Sequence, residues 1–263
     1  MNCWKIGVIG FGNIAQALIG GLLKVQAIKP EQVHVCAAHY DKVCVSAKKY
    51  GVYACQSAEE VINKSDVVIL AVKPYQMEKV CAPIQNLLKD KIVITVASKW
   101  NFDKFDAALA PGTHHLSMIP NTPVAVAQGI VIMEEKNSLT EEEFSMWKEL
   151  LGKIALVEVV DSDHMSIADT ISGCTPAFTA MYLEALGDAG VKHGLTRPMA
   201  YRLVAQMLKG TGALYLEQEK HPGAMKDAVC SPGGTTIRGV EALEQNGFRA
   251  AAMSAINAAM SKK

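Results

Sequence analysis

The chain has no excess of either charge: 26 Lys and Arg stand against 26 Asp and Glu in 263 residues. That balance leaves no basic footprint for nucleic acid and none for an anionic membrane surface. The seven cysteines (Cys3, Cys36, Cys44, Cys55, Cys81, Cys174, Cys230) include no CxxC pair and no metal-ligand spacing. They read as reduced thiols, several acting as small hydrophobes, so the expectation is a cytoplasmic protein without a metal site. No apolar run has bilayer length. The alanine-rich tail at residues 250–260 contains Asn257 and is about half of what a span demands, which makes it a packing helix. No basic leader precedes the first strand-like run, and there is no internal repeat, charge block or low-complexity linker.

The length suits two ordinary domains, and the texture of the sequence divides accordingly. Up to about residue 160, β-branched runs at 5–9, 33–37, 66–72 and 92–97 alternate with helix-period segments at 13–25, 41–50, 57–64 and 76–89. Such alternation requires crossover connections and a parallel sheet covered on both faces. The expected fold is α/β: a Rossmann-type doubly wound sheet over residues 1–160 and an all-α domain over 161–263. In the second half, breaks at 190–198 and 220–222 separate segments rich in Ala, Met, Leu and Gly. Small residues such as Ala177, Ala180, Ala185 and Ala189 let helices approach closely and leave apolar surface wanting a partner, so a homodimer is expected, with a self-contained bundle as the alternative. Met181, Met199, Met207 and Met225 read as core filler.

Two motifs carry chemistry. Gly10, Phe11, Gly12, Asn13, Ile14 and Ala15 spell GxGxxA between a strand and a helix. The first glycine permits the turn, the second admits a pyrophosphate, and the alanine keeps helix and sheet close; an ordinary glycine-rich turn is the alternative. At the end of the second strand, His39 stands where an acid would bind a ribose 2′-hydroxyl, with Asp41 and Lys42 following. A neutral or cationic side chain there favours a 2′-phosphate, hence NADPH, with NADH as the second candidate; Asp41 reads as a helix cap. The second motif, SPGGTT at 231–236, opens into a helical pattern with Val240, Leu243 and Phe248 in its repeat. Free amides at a helix start form a seat for a small carboxylate, against the plainer reading of a tight turn and cap. Ala71, Val72, Lys73 and Pro74 follow the third of the four strand-like runs, where an open sheet meets its ligand, and IPNTP at 119–123 forms another stiff turn.

With GFGNIA, AVKP, PNTP, SGCTPAF and HPGAMKDAVCSPGGTTIRGVEALE in this order, the chain resembles the pyrroline-5-carboxylate reductases over essentially its full length. The resemblance implies a Rossmann domain, a helical dimerisation domain, larger rings built from dimers, and a site where one subunit's nicotinamide meets the other's SPGGTT loop. It implies that Ser231, Gly233, Gly234, Thr235 and Thr236 hold the substrate carboxylate. Thr236 is then the catalytic hydroxyl near the ring nitrogen, and Glu219 lies beside the pocket. Gly10, Phe11, Gly12, Asn13, Ile14, Ala71, Val72, Lys73, Pro74 and Ala97 match cofactor-contact segments. Three departures stand out: Cys174 and Thr175 in place of a Ser-Gly pair, Ser117 in place of an arginine, and Lys99 with Trp100 where a glycine is usual.

The implied reaction is hydride transfer from NADPH to the C=N carbon of 1-pyrroline-5-carboxylate, a small imino acid, giving proline. A related cyclic imine is the alternative substrate, and a non-catalytic NADP-binding sensor is the alternative from another class, against which the intact SPGGTT loop argues. A β-hydroxyacid dehydrogenase shares this plan but needs a catalytic lysine; Lys192 and Lys209 have no supporting motif. Other residues receive structural roles. Adjacent His114 and His115 would point to opposite faces of a strand and cannot chelate. Cys174 and Cys230 read as packing thiols, and residues 134–143 as a solvated turn leading into an acidic helix start.

Overall fold

A computed structural model describes residues 4–261. Its strands are β1 (Ile6–Ile9), β2 (Val33–Cys36), β3 (Tyr53–Ala54), β4 (Val67–Leu70), β5 (Ile92–Thr95), β6 (His114–Pro120), β7 (Gly129–Glu134) and β8 (Ala155–Val160). They form one sheet in the order β3-β2-β1-β4-β5-β6-β7-β8. The first six pair in parallel, as the alternating pattern demanded, while β7 runs antiparallel to β6 and β8 parallel to β7. The β6–β7 connection is a short turn, too short for a crossover helix, so an antiparallel pair is the only pairing it can close.

Period-two alternation sorts the strand residues into two cores. Ile6, Val8, Val67, Ile69, Ile92 and Ile94 face one side, and Ile9, Val68, Leu70 and Val93 the other. The first core is closed by α1 (Asn13–Lys24) and α2 (Tyr40–Tyr50). The second receives α3 (Ala58–Asn63), α4 (Met77–Cys81) and α5 (Phe102–Asp106), which bring Val61, Met77 and Phe105. On the first side α6 (Glu141–Gly152) begins with a capping box, Thr140 Oγ1 accepting from the Glu143 N–H, and buries Trp147, Leu150 and Leu151.

The expected helix over 76–89 stops at Cys81. Pro83 has no N–H to continue the ladder, and the chain proceeds in three-residue turns such as the Ile84 N–H to the Cys81 carbonyl at 3.0 Å. Asp41 is not the cap of α2: His39 occupies that position without a side-chain hydrogen bond, and Asp41 lies in the first turn. Within the 134–143 stretch, Glu134 is buried rather than solvated, accepting from the Phe102 N–H at 2.7 Å and from the Ser162 hydroxyl. His114 and His115 do diverge. His114 meets Glu143 of α6 at 2.8 Å, and His115 reaches Asp106 of α5 at 3.1 Å while stacking on Phe102. Burial pushes the thiols of Cys36 up to about 12 and Cys81 up to about 11, so both remain protonated packing groups; Cys3 lies outside the described residues.

The chain divides into two compact units between Gly173 and Cys174. A short helix, α7 (Met165–Asp169), and a π-helical turn at Thr170–Cys174 end the first. The second contains α8 (Thr175–Lys192), α9 (Arg197–Gln218), α10 (Pro222–Asp227), α11 (Thr235–Gln245) and α12 (Phe248–Met260). Phe248 therefore opens α12 and does not continue the α11 repeat. Among the described residues of this unit only Gly187 and Ala200 are fully buried. Met181, Met199 and Met207, expected as core filler, are exposed together with Leu203, Leu214 and Leu216. No helix among the described residues is long and apolar enough to cross a membrane.

Gly21 lets α1 rest on the turn after β6, where an added Cβ would run into the Val124 carbonyl. Gly21→Ala is expected to destabilise the first unit by about 1–3 kcal/mol through overpacking, read as a lower urea midpoint with an unchanged m-value.

Candidate active site

The parallel strands all end on one edge, and between β1 and β4 the strand order reverses, which opens a crevice for a ligand. Gly10 lies at that point with φ +98°, its N–H donating to the Cys36 carbonyl at 2.8 Å. A Cβ there would meet the Ala71 carbonyl at 2.7 Å and Val72 at 2.8 Å, so both conformation and close approach require glycine. Gly12 differs. It caps α1 with φ −85°, makes no side-chain cap bond, is exposed, and a Cβ on it would touch nothing within 4 Å. Nothing in the chain itself explains a glycine at this position. Room for an external group at the amides of α1 does, and the site therefore fits a dinucleotide pyrophosphate.

Phe11 is buried and Asn13 and Ile14 open α1. His39 is exposed just past β2, beyond Cys36. Ala71, Val72, Lys73 and Pro74 leave the end of β4, with Lys73 and Pro74 exposed, and Ala97 is buried past β5 with its N–H on the Thr95 hydroxyl at 3.1 Å. These candidates therefore share the carboxyl edge of the sheet.

Asp169 went unnamed in the sequence, and Asn121 and Trp100 appeared there only as part of a turn and as a departure, with no role assigned. Asn121, in the PNTP turn, is buried and fully used: its amide donates to the Ser172 carbonyl at 3.0 Å and its oxygen accepts from the Ile130 N–H at 2.8 Å. An Asn between apolar strands was the available signal. Asp169 accepts from the Ser98 hydroxyl at 2.6 Å, a partner 71 residues away that no local pattern could assign. Trp100 is buried and donates its indole N–H to the Pro74 carbonyl at 3.0 Å. Between these two contacts Lys99 adopts φ +66°, which costs a non-glycine residue roughly 1–3 kcal/mol. Ser117, in the place of the family's arginine, is buried with its hydroxyl unpaired.

In the second unit, His221 caps α10 by accepting from the Gly223 N–H at 3.0 Å, and the Lys226 ammonium is held above its ordinary range by its hydrogen bond with Asp227. The chain then turns at Ser231, whose carbonyl accepts from the Gly234 N–H at 3.0 Å, and Gly233 takes φ +69°. Gly234 caps α11 without a side-chain bond, and Thr235 and Thr236 form its exposed first turn. The result is an α-helix start whose amides lack a side-chain acceptor at the cap. Glu219 ends α9 in the left-handed region at φ 49° and is exposed. Lys192 closes α8 and Lys209 lies within α9.

A glycine turn at the switch point of a doubly wound sheet, followed by a helical unit with an open helix start, defines a nucleotide-dependent oxidoreductase. Residues 5–99 match the family described as NADP oxidoreductase, coenzyme F420-dependent, and residues 162–263 match pyrroline-5-carboxylate reductase dimerisation. The pyrroline-5-carboxylate reductase of Treponema pallidum (strain Nichols) is 42% identical over 98% of this chain and 99% of its own length. That of Escherichia coli (strain K12) is 37% identical over 98% and 96%. A Plasmodium falciparum pyrroline carboxylate reductase, solved with NADP bound, superposes with a TM-score of 0.88 over 97% of this chain and 95% of that one, at 28% identity. The chain belongs to the pyrroline-5-carboxylate reductase family.

Asn121 supports this edge through two buried hydrogen bonds. Asn121→Ala is expected to cost about 1–3 kcal/mol, because the Ile130 N–H and the Ser172 carbonyl lose their partner, and chemical denaturation would register it.

Proposed function

We propose that Gly10, Phe11, Gly12, Asn13, Ile14, His39, Ala71, Val72, Lys73, Pro74 and Ala97 bind NADPH, and that Glu219, Ser231, Gly233, Gly234, Thr235 and Thr236 bind the imino acid. The enzyme reduces 1-pyrroline-5-carboxylate to L-proline. When bound, NADPH supplies the hydride that the C=N carbon accepts. The observation that supports the assignment is the pair of glycine-capped helix starts, Gly12 before α1 and Gly234 before α11, whose amides have no side-chain acceptor at the cap. Both present backbone amides to a ligand. His39, where a ribose-binding acid is usual, leaves the 2′-phosphate unopposed, which favours NADPH over NADH.

The carboxylate is held by the amides at the start of α11. The macrodipole adds only about 0.3–1 kcal/mol there, so hydrogen bonds dominate the affinity. Thr236 places its hydroxyl where a proton can be passed to, or held at, the ring nitrogen. No Asp, Glu or His lies within 231–236 to act as a strong acid. General acid catalysis typically contributes about 10²- to 10⁴-fold, whereas holding two reactants at near-attack distance can contribute roughly 7–11 kcal/mol. Positioning therefore carries most of the rate. Glu219, fixed in an unfavourable backbone conformation, borders the pocket.

The functional division falls at 160/161, where β8 ends, so that residues 1–160 bind nucleotide and 161–263 bind substrate and partner. The exposed methionine and leucine side chains of α8 and α9 support a homodimer, and rings of such dimers are the larger assembly. Six unpaired thiols among the described residues support a reducing cytoplasmic setting.

Substrate-dependent oxidation of NADPH by the purified chain tests the reaction directly, and its absence would refute the reading. Gly12→Ala should still fold, since φ −85° suits alanine, at a cost of about 1 kcal/mol as a poorer helix cap, yet weaken NADPH binding by about tenfold or more. Thr236→Ala should lower kcat by about tenfold or more while NADPH affinity stays within about twofold, as steady-state kinetics and fluorescence titration would register.

A further inference from the structure

We propose that Ser98, Trp100 and Asp169 form a clamp that joins three segments of the carboxyl edge into one rigid piece and thereby positions the cofactor turn relative to the π-helical turn that begins at Thr170. The inference rests on the proposed role of Ala71, Val72, Lys73, Pro74 and Ala97 in holding NADPH.

The clamp has two jaws, with Lys99 between them. On one side Trp100 is 3% exposed, wedged edge-on against Phe105 at 6.4 Å and covered by the Lys104 ammonium at 4.4 Å, and its indole N–H fixes the Pro74 carbonyl. The turn after β4 is thus tied to the turn after β5. On the other side the Ser98 hydroxyl donates to Asp169, the last residue of α7 and the neighbour of the π-helical segment Thr170–Cys174. A Cβ at Gly173 would lie 2.7 Å from Asp169 Oδ1, so glycine there leaves the carboxylate free to turn toward Ser98. The segment is held a second time where Asn121 donates to the Ser172 carbonyl. π-helical turns concentrate at functional positions, and this one carries the SGC residues.

The arrangement also accounts for the departures in this region. A glycine after β5 would reach the left-handed region without cost, whereas Lys99 occupies it at φ +66°. A residue persists there only when its surroundings over-determine it, and hydrogen bonds from both neighbours do so. Ser98, Trp100 and Asp169 are positioning residues: they act through Pro74, Ala97 and the SGC segment.

The test combines amide hydrogen exchange of the unliganded protein, NADPH titration and steady-state kinetics on the full chain. Trp100→Phe keeps an aromatic ring in the site and deletes the N–H with the rest of the indole. It should speed exchange at Lys73, Tyr75 and Gln76 and weaken NADPH binding about 3- to 10-fold. Asp169→Ala should lower kcat for the imine about tenfold with NADPH affinity within about twofold, and Asp169→Asn, which still accepts from Ser98, should recover more than half of the loss. Ser98→Ala deletes the same bond from the other side and serves if Asp169→Ala does not fold. Wild-type exchange and wild-type NADPH affinity in Trp100→Phe would overturn the proposal. So would an unimpaired kcat in Asp169→Ala and Ser98→Ala, or an Asp169→Asn enzyme as poor as Asp169→Ala, which would mark a need for charge instead of the bond. A wild-type chain that fails to bind NADPH would refute the functional reading, while exchange in Trp100→Phe would still decide whether the clamp exists.

Discussion

At the head of the sheet Gly10 lies so close to the Ala71 carbonyl that no side chain fits between them. That approach lets the Gly10 N–H reach Cys36 while the Ala71 N–H reaches Ile9 at 2.8 Å. It fixes where β1 ends, where α1 starts and how the turn after β4 leaves the sheet. The crevice at the reversal of strand order has its shape because three strand ends are locked at backbone distance. Side chains are excluded from the one place where a nucleotide's phosphates need amides.

Around that contact the edge uses two ways of fixing a loop. Glycine makes an unusual conformation inexpensive, as at Gly10 and Gly233. Side-chain hydrogen bonds can impose one instead, as those of Ser98 and Trp100 do on either side of Lys99. The second route stores strain, visible at Lys99, and offsets it with the contacts of its two neighbours. Rigidity of this origin suits a reaction in which placing two reactants matters more than any acid or base.

The helical unit follows a different logic. With Gly187 and Ala200 as its only fully buried residues among those described, it cannot derive its stability from a core of its own. Its methionines and leucines face outward in one copy. Residues 162–263 match the reductase dimerisation family, which supports oligomerisation through this half.

Much of this was legible in the residues themselves. Alternating β-branched runs announced the parallel strands because a strand buried on both faces has no polar positions. GxGxxA and SPGGTT were readable because their chemistry is local: a turn, a cap and a row of amides. The order of motifs was enough to indicate the family. Helix extents were less secure, since Pro83 ended α4 early, and the cap of α2 fell on His39 and not Asp41. What only the tertiary structure decided were the long-range partners. Asp169 meets Ser98 across 71 residues and Asn121 meets Ser172 across 51, and the sequence around each is silent about the other. The antiparallel β7, the burial of Glu134 and the left-handed Lys99 likewise depend on neighbours brought together by the fold. Local backbone preference is written in adjacent residues, while a hydrogen bond between distant segments exists only after the sheet has set its strand ends side by side.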